Sequence, residues 1–203
     1  MSPNPESIDW QAAPAHILDR LAGLASPHPV LGITGPAGAG KSTLASIIAE
    51  STHGLVLSTD DYLPDYEGLP VRERDLPEHA DLPLLNRHLQ QLRKGRPADI
   101  PTWSFHEHRR TGTRPIGPAT GPIVLEGLFA LHTLVRESLN LAVYVDAPPA
   151  TRWQRWEAIE QRGERGMGVE AARAFFHDVA DPTFARFAAD YRASADLIVT
   201  NEE

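Results

Sequence analysis

Val30-Leu31-Gly32-Ile33-Thr34-Gly35-Pro36-Ala37-Gly38-Ala39-Gly40-Lys41-Ser42-Thr43 is the stretch from which the rest of the chain can be read. Val30 to Thr34 is a short apolar run of the kind a buried strand makes. Gly35 to Ser42 then fits the pattern GxxxxGK[ST] in full. Glycines let the backbone turn tightly, so successive N–H groups point at one centre, where phosphate oxygens fit. Lys41 to Glu50 reads as a helix, which offers its positive N-terminal end to the same centre. The Lys41 ammonium would reach the β- and γ-phosphates, and the Ser42 hydroxyl would ligate Mg²⁺. Gly35, Ala37, Gly38, Ala39, Gly40, Lys41, Ser42 and Thr43 are therefore the candidate ATP-binding residues. A plain glycine-rich turn with a solvated lysine is the alternative. Composition alone gives such an octapeptide on the order of once in a hundred chains of this length or less.

Outward from this stretch, short apolar runs alternate with helical patterns. Leu55 to Ser58, Ile123 to Leu125, Leu141 to Val145 and Leu197 to Val199 read as strands. Leu82 to Lys94 is an amphipathic helix with Leu85, Leu89 and Leu92 on one side, ended by Gly95. A helix is expected over about residues 150–161, and two short helical stretches between Val169 and Tyr191. Upstream, Ile17, Leu18, Leu21 and Leu24 recur at helical spacing within Ile8 to Ala25, before the break Ser26-Pro27-His28-Pro29. The alternation predicts an α/β fold: a mostly parallel sheet with helices on both faces and a small lid. Such sheets bind ligands at the carboxyl ends of their strands. The expected organisation is an N-terminal helical extension over 1–27 and a single domain over 28–203. Within that domain an acceptor-binding insertion would fall at about 60–120 and the lid at about 155–170. Residues 60–81 are irregular, with eight Asp or Glu against Arg72 and Arg74, a net of −6. Residues 96–120 are rich in Pro, Gly and Thr and read as extended segments and loops.

Composition narrows the partners. The chain has 203 residues and fits one domain. It has no cysteine, which excludes a disulfide framework and cysteine-ligated zinc. Its net charge of −8 argues against a nucleic-acid or anionic-membrane surface. Met1 to Asn4 carries no basic residue and no apolar run follows, and no stretch reaches ~18 apolar residues. A cytoplasmic enzyme with a small-molecule partner is the expectation, compatible with a homo-oligomer. The basic residues are 19 in all, yet only Lys41 and Lys94 are lysines. One of the two thus falls in the phosphate loop, where a compact ammonium fits and a planar guanidinium is no equivalent.

Other candidates surround the loop. Asp60 and Asp61 directly follow the second strand, at the end that faces the same crevice. A carboxylate there could take a proton from an attacking hydroxyl or hold Mg²⁺ through water; a solvated acid in an acidic loop is the plain alternative. Glu126 ends a buried strand, where a charge must be paired or bound to a metal. Ser42, Asp60 and Glu126 are thus the candidate metal set. Trp103 and Phe105 alternate beside His108 and Arg110, and together they could hold a planar or hydroxylated ligand; a loop with its aromatics packed into the core is the plain alternative, and the stronger one on this signal alone. Arg152, Arg155, Arg162 and Arg165 lie where a helix gives way to the flexible Arg162-Gly163-Glu164-Arg165-Gly166. That segment could close over ATP, with arginines on the transferring group; a solvated helix face is the alternative.

Taken together, GPAGAGKST (35–43), STDDY (58–62), Asp75-x-Pro77-x-x-Ala80-x-x-x-Leu84-Leu85, Gly95 to Arg110, VLEGLFAL (124–131), VYVDAPPATR (143–152), QRGER (161–165) and ADLIV (195–199) resemble the uridine kinase and phosphoribulokinase-like family of P-loop kinases. The order holds over residues 30–200. The resemblance implies a P-loop NTPase fold and ATP- and Mg²⁺-dependent phosphorylation of a small-molecule hydroxyl, in uridine kinases the ribose 5′-hydroxyl. By position it makes Asp60 the general base and gives Lys41 and Arg162 catalytic roles, with Arg165 on ATP. Asp75 would bind sugar hydroxyls; Trp103, Phe105 and His108 would line the base pocket, with Arg110 beside them. Leu63, Arg74 and Trp103 depart from the family pattern. A non-nucleoside acceptor is therefore the alternative: a sugar, or an acid such as glycerate or a pantothenate-like compound held by Arg74, Arg109, Arg110 and Arg114. A non-catalytic ATP-binding regulator is the third reading.

Overall fold

The computed structural model describes residues 4–202. Its central sheet has six strands in the order β1-β8-β7-β2-β6-β3, and every pairing between neighbours is parallel. In chain order these are β1 (Glu6–Asp9), β2 (Val30–Thr34), β3 (Leu55–Ser58), β6 (Ile123–Glu126), β7 (Leu141–Asp146) and β8 (Leu197–Thr200). A separate antiparallel hairpin joins β4 (Ala98–Ser104) to β5 (Arg109–Ile116).

The sequence explains the layering. β2 and β6 are buried along their whole length, as central strands of a covered parallel sheet must be. Successive side chains then feed opposite layers. Leu31, Ile33, Val124 and Val143 pack against α1 (Ala13–Ala22) and α2 (Lys41–Thr52) through Ile17, Leu21, Leu44 and Ile48. Val30, Ile123, Leu125 and Tyr144 pack on the other face against α3 (Leu82–Arg93), α4 (Thr133–Arg136) and α7 (Asp181–Ser194). Leu85, Leu89 and Leu92 supply the α3 contact, as their spacing predicts. Asp81 caps α3, accepting from the Leu84 amide at 3.1 Å. A smaller cluster beside the sheet joins α5 (Pro149–Gln161) to α6 (Val169–Phe175) through Trp156, Ala172, Phe175 and Phe176.

One expectation needs correction, and two are made more specific. Residues 6–9, placed in a helical extension, form edge strand β1 and pair with β8. This strand is mostly exposed and offers one apolar residue, Ile8, so no alternation announces it. Backbone bonds hold it instead, from Glu6 N to Asp196 O at 3.1 Å and from Trp10 N to Thr200 O at 3.0 Å. Of the expected extension, residues 1–3 lie outside the described residues. Within the expected extended segments and loops, the stretch 101–110 is the end of one strand, a turn and the start of the returning strand. His108 closes the turn in the left-handed region, φ 52, with its N–H on Ser104 O at 2.8 Å. Finally, α6 and α7 are one helical run joined through a π-helical turn at Phe176–Ala180.

Among the described residues no helix is long and apolar enough to cross a membrane.

Candidate active site

The carboxyl ends of β2, β3 and β6 converge on one side of the sheet. β2 leads directly into the phosphate loop, β3 into the turn Thr59–Tyr62, and β6 into Gly127. The Thr34 hydroxyl lies 3.0 Å from Gly127 O and 2.9 Å from Leu128 O, so the ends of β2 and β6 are tied together. Gly127, at φ +129, makes the crossing possible: a Cβ there would come within 2.0 Å of Thr59 Oγ1.

These ends open into a cavity of about 250 Å³. One end is lined by Ala37, Gly38, Gly40, Lys41, Ser42 and Thr43, with Asp60 and Glu126 beside them. The other end is lined by Leu63, Tyr66, Asp75, Trp103, Phe105 and His108. Arg155, Trp156, Ile159, Arg165, Met167 and Phe175 form the roof.

Ser42 Oγ donates to Glu126 Oε2 at 2.9 Å, so the two expected metal ligands already share a contact. The buried Lys41 ammonium donates to Pro36 O at 2.9 Å. Burial lowers its pKa to about 8, against the upward pull of Glu126 and Asp60. Burial raises the Asp60 carboxyl to about 6; Glu126 adds to this, while Arg165 and Lys41 oppose it. Asp75 is pushed up to about 7, first by burial and then by Asp60. Three carboxylates, Asp60, Asp75 and Glu126, therefore share one cavity with Lys41, Arg155 and Arg165, the arrangement expected where proton transfer and phosphate charge are handled together.

The aromatic end is a set of faces. Trp103 stands edge-on to Tyr66 and to Phe105, each at 5.0 Å between centroids. His108 stacks on Tyr66 at 5.7 Å. The Trp103 indole N–H is spent on Pro64 O at 3.1 Å, so this residue offers the cavity its ring.

Four expected residues, Arg110, Arg162, Gly35 and Ala39, do not line the cavity. Arg110 donates to Leu63 O at 3.1 Å and Tyr62 O at 3.0 Å, and pairs with Asp81. It holds the loop after β3 in shape from outside. Arg162 is exposed at the end of α5 and pairs with Glu164. Gly35 and Ala39 support the phosphate loop without lining the cavity. Asp61 turns away to Arg114, at 3.2 Å.

Sequence reasoning missed Tyr66, a lone aromatic among acids, and Asn201. The latter is buried just beyond β8. Its Nδ2 donates to Ala39 O at 2.8 Å, and its Oδ1 accepts from Arg155 at 2.9 Å. Arg155 also donates to Gly38 O at 2.9 Å. The rule that ligands sit beyond the carboxyl ends of parallel strands, applied to the last strand, would have singled Asn201 out.

Comparison with known proteins agrees with this architecture. A protein of Silicibacter sp. TM1040, described as a candidate fructose transport system kinase, superposes with a TM-score of 0.72 at 22% identity, over 92% of this chain and 97% of that one. A candidate uridine kinase from Bacillus stearothermophilus superposes at 0.62 and 17% identity, over 93% and 98% of the two chains. At these identities the likeness shows the fold, that of a P-loop NTPase. In sequence, the chain is 32% identical to a uridine kinase of Deinococcus deserti over 84% of this chain and 86% of that protein. It is 31% identical to one from Lactobacillus helveticus, over 84% and 85%. The model of the phosphoribulokinase / uridine kinase family matches residues 72–202. The chain belongs to the phosphoribulokinase / uridine kinase family.

Proposed function

We propose that the chain is a kinase that transfers the γ-phosphoryl group of ATP to a hydroxyl of a neutral nucleoside, with Mg²⁺. The observation that carries this reading is the single cavity with a phosphate loop at one end and flat aromatic walls at the other. Asp60 stands between the two ends. The sequence relatives named uridine kinase support the same reading.

The residues assign themselves to steps. ATP phosphates lie on the loop amides and on Lys41, whose ammonium stays largely protonated at neutral pH with a pKa of about 8. Among the described residues no group of three or more His, Cys, Asp or Glu could hold a metal by itself. A hydroxyl and one or two carboxylates, completed by phosphate oxygens, suit Mg²⁺. Ser42, Glu126 and Asp60 would hold it, and the bound ion supplies charge to neutralise the phosphates. Asp60 accepts the proton as the acceptor oxygen bonds to the γ-phosphorus; the bond from that phosphorus to the β-bridging oxygen breaks, and ADP leaves. Arg165 and Lys41 offset the negative charge on the transferring oxygens. Asp75 accepts hydrogen bonds from the sugar hydroxyls, and the base lies among Tyr66, Trp103 and His108.

An acidic acceptor has less support. None of Arg74, Arg109, Arg110 and Arg114 lines this cavity. Arg109 pairs with Glu107 and Arg114 with Asp61, while Arg74 lies over the Tyr66 ring at 4.8 Å. Release of ADP measured against a panel of uridine, cytidine, fructose, glycerate and pantothenate tests the assignment. Nucleoside-stimulated release is expected, and release stimulated by the acids alone would reverse it.

A further inference from the structure

Arg165 lies where the two ends of the cavity meet. Its guanidinium carbon is 4.7 Å from the centre of the Phe105 ring and 4.9 Å from that of Trp156. The two rings come from opposite sides of the site. Phe105 belongs to the turn between β4 and β5, on the acceptor side; Trp156 belongs to α5, on the nucleotide side.

Both walls of this slot are held in place. Phe105 is braced edge-on by Trp103 at 5.0 Å. Trp156 meets Phe176 edge-on at 5.6 Å, and its indole N–H donates to Glu160 Oε1 at 3.3 Å. The other oxygen of that buried carboxylate accepts the Gly168 amide at 3.0 Å. One side chain thus fixes a slot wall and also the far end of the 162–168 turn. Gly166 lies against the hairpin as well, since a Cβ on it would approach His106 Nδ1 to 2.7 Å. The charge in the slot is felt at Asp60, Asp75 and Lys41, so it faces the reacting centre.

A guanidinium between two ring faces keeps its full charge while losing rotational freedom. We propose that Phe105 is a positioning residue: its ring is the acceptor-side wall of an aromatic slot that aims Arg165 at the transferring phosphoryl group. The hairpin that receives the acceptor then also sets the charge that stabilises the transfer. This rests on the kinase reading, and it gives Phe105 a role distinct from that of a base-pocket wall.

Two measurements test it, on wild type, Phe105→Leu, Phe105→Tyr, Arg165→Ala and the Leu–Ala double variant. The first is steady-state kinetics with ATP and uridine. Leucine keeps apolar bulk but loses the ring face, so kcat should fall on the order of tenfold while KM for uridine stays within about twofold. Tyrosine keeps the face and should restore most of the kcat that leucine loses. Once Arg165 is alanine, adding Phe105→Leu should cost nothing further. Effects that multiply, or a raised KM for uridine at unchanged kcat, would overturn the proposal. The second is amide hydrogen exchange over residues 162–168 without nucleotide. Exchange should quicken in Phe105→Leu and Arg165→Ala and stay at the wild-type rate in Phe105→Tyr. Equal protection in Phe105→Leu and wild type would overturn the slot whether or not the chain turns over a nucleoside. A wild type that converts no nucleoside counts against the kinase reading alone, and the exchange result still decides the slot.

Discussion

Replacing Asn201 should loosen the phosphate loop from outside, without touching any group that meets phosphate. The residue joins three elements: Nδ2 donates to Ala39 O at 2.8 Å, Oδ1 accepts from Arg155 at 2.9 Å, and its backbone amide donates to Asp146 O at 2.8 Å. The Ala39 carbonyl is thereby held away from the cavity, and the trans peptide turns the Gly40 N–H the other way. The contact is close: a Cβ on Gly40 would lie 2.5 Å from Asn201 Nδ2. Alanine at 201 removes both side-chain bonds and leaves the Ala39 carbonyl buried without that donor. The cost is about 2–4 kcal/mol. For a chain of this size that lowers Tm by about 5–12 °C. Aspartate tests the direction of the bond. It keeps an acceptor for Arg155 but turns an oxygen on the Ala39 carbonyl. Asn201→Asp should therefore raise KM for ATP on the order of tenfold, as alanine should, despite its nearly identical shape. Thermal melts and ATP titration of the steady-state rate measure both. Melting within about 1 °C of wild type, with unchanged KM for ATP in both variants, would refute the reasoning.

Other consequences can be checked in the same assay. Lys41→Ala should abolish turnover with every acceptor; surviving activity would remove Lys41 from the phosphoryl end. Asp60→Asn should lower kcat by roughly 10²- to 10⁴-fold while the protein still binds ATP, and undiminished kcat would deny it the role of base. Protonation removes the form of Asp60 that accepts a proton, so kcat should drop on the acid side of the profile; an acid limb unchanged in Asp60→Asn contradicts the assignment. Stability runs the opposite way. Asp60 and Asp75 bind protons more tightly folded than unfolded, so the nucleotide-free protein should gain stability as pH falls toward 6 and lose it as pH rises through about 7. A melting temperature that falls over that descent would show other groups in control. Gly127→Ala puts a Cβ within 2.0 Å of Thr59 Oγ1 at a φ of +129 and should destabilise by roughly 1–3 kcal/mol; an unshifted melt would mean the strand ends are not so tightly crossed.

The fold was legible wherever burial dictates composition. Val30 to Thr34 and Ile123 to Glu126 are buried on both sides, so their continuous apolar character marks them as central parallel strands. The phosphate loop was legible because its chemistry admits few sequences. β1 was hidden because an exposed edge strand is held by backbone groups, which every residue possesses. The hairpin turn was hidden for a related reason, since His108 adopts a conformation that histidine seldom signals. Asp75, in an irregular acidic loop, could be reached only through the family resemblance, whereas Asp60 and Glu126 could be proposed from their places at strand ends. The arginines could not. Arg110, Arg155, Arg162 and Arg165 have the same reach, and only tertiary packing decides which meet carbonyls, which meet solvent and which lies between two rings. For Asn201 the one signal was its place just beyond the last strand; its contact with the phosphate loop forms only when the loop folds against it.

The central claim is transfer of a phosphoryl group to a nucleoside hydroxyl. Incubation with γ-labelled ATP, Mg²⁺ and uridine or cytidine, followed by mass analysis of the products, tests it most directly. The account predicts label in the nucleoside monophosphate, one ADP for each product molecule, and none of either with Lys41→Ala. Label found only in inorganic phosphate, or only in the phosphate ester of an acid such as glycerate, would contradict it.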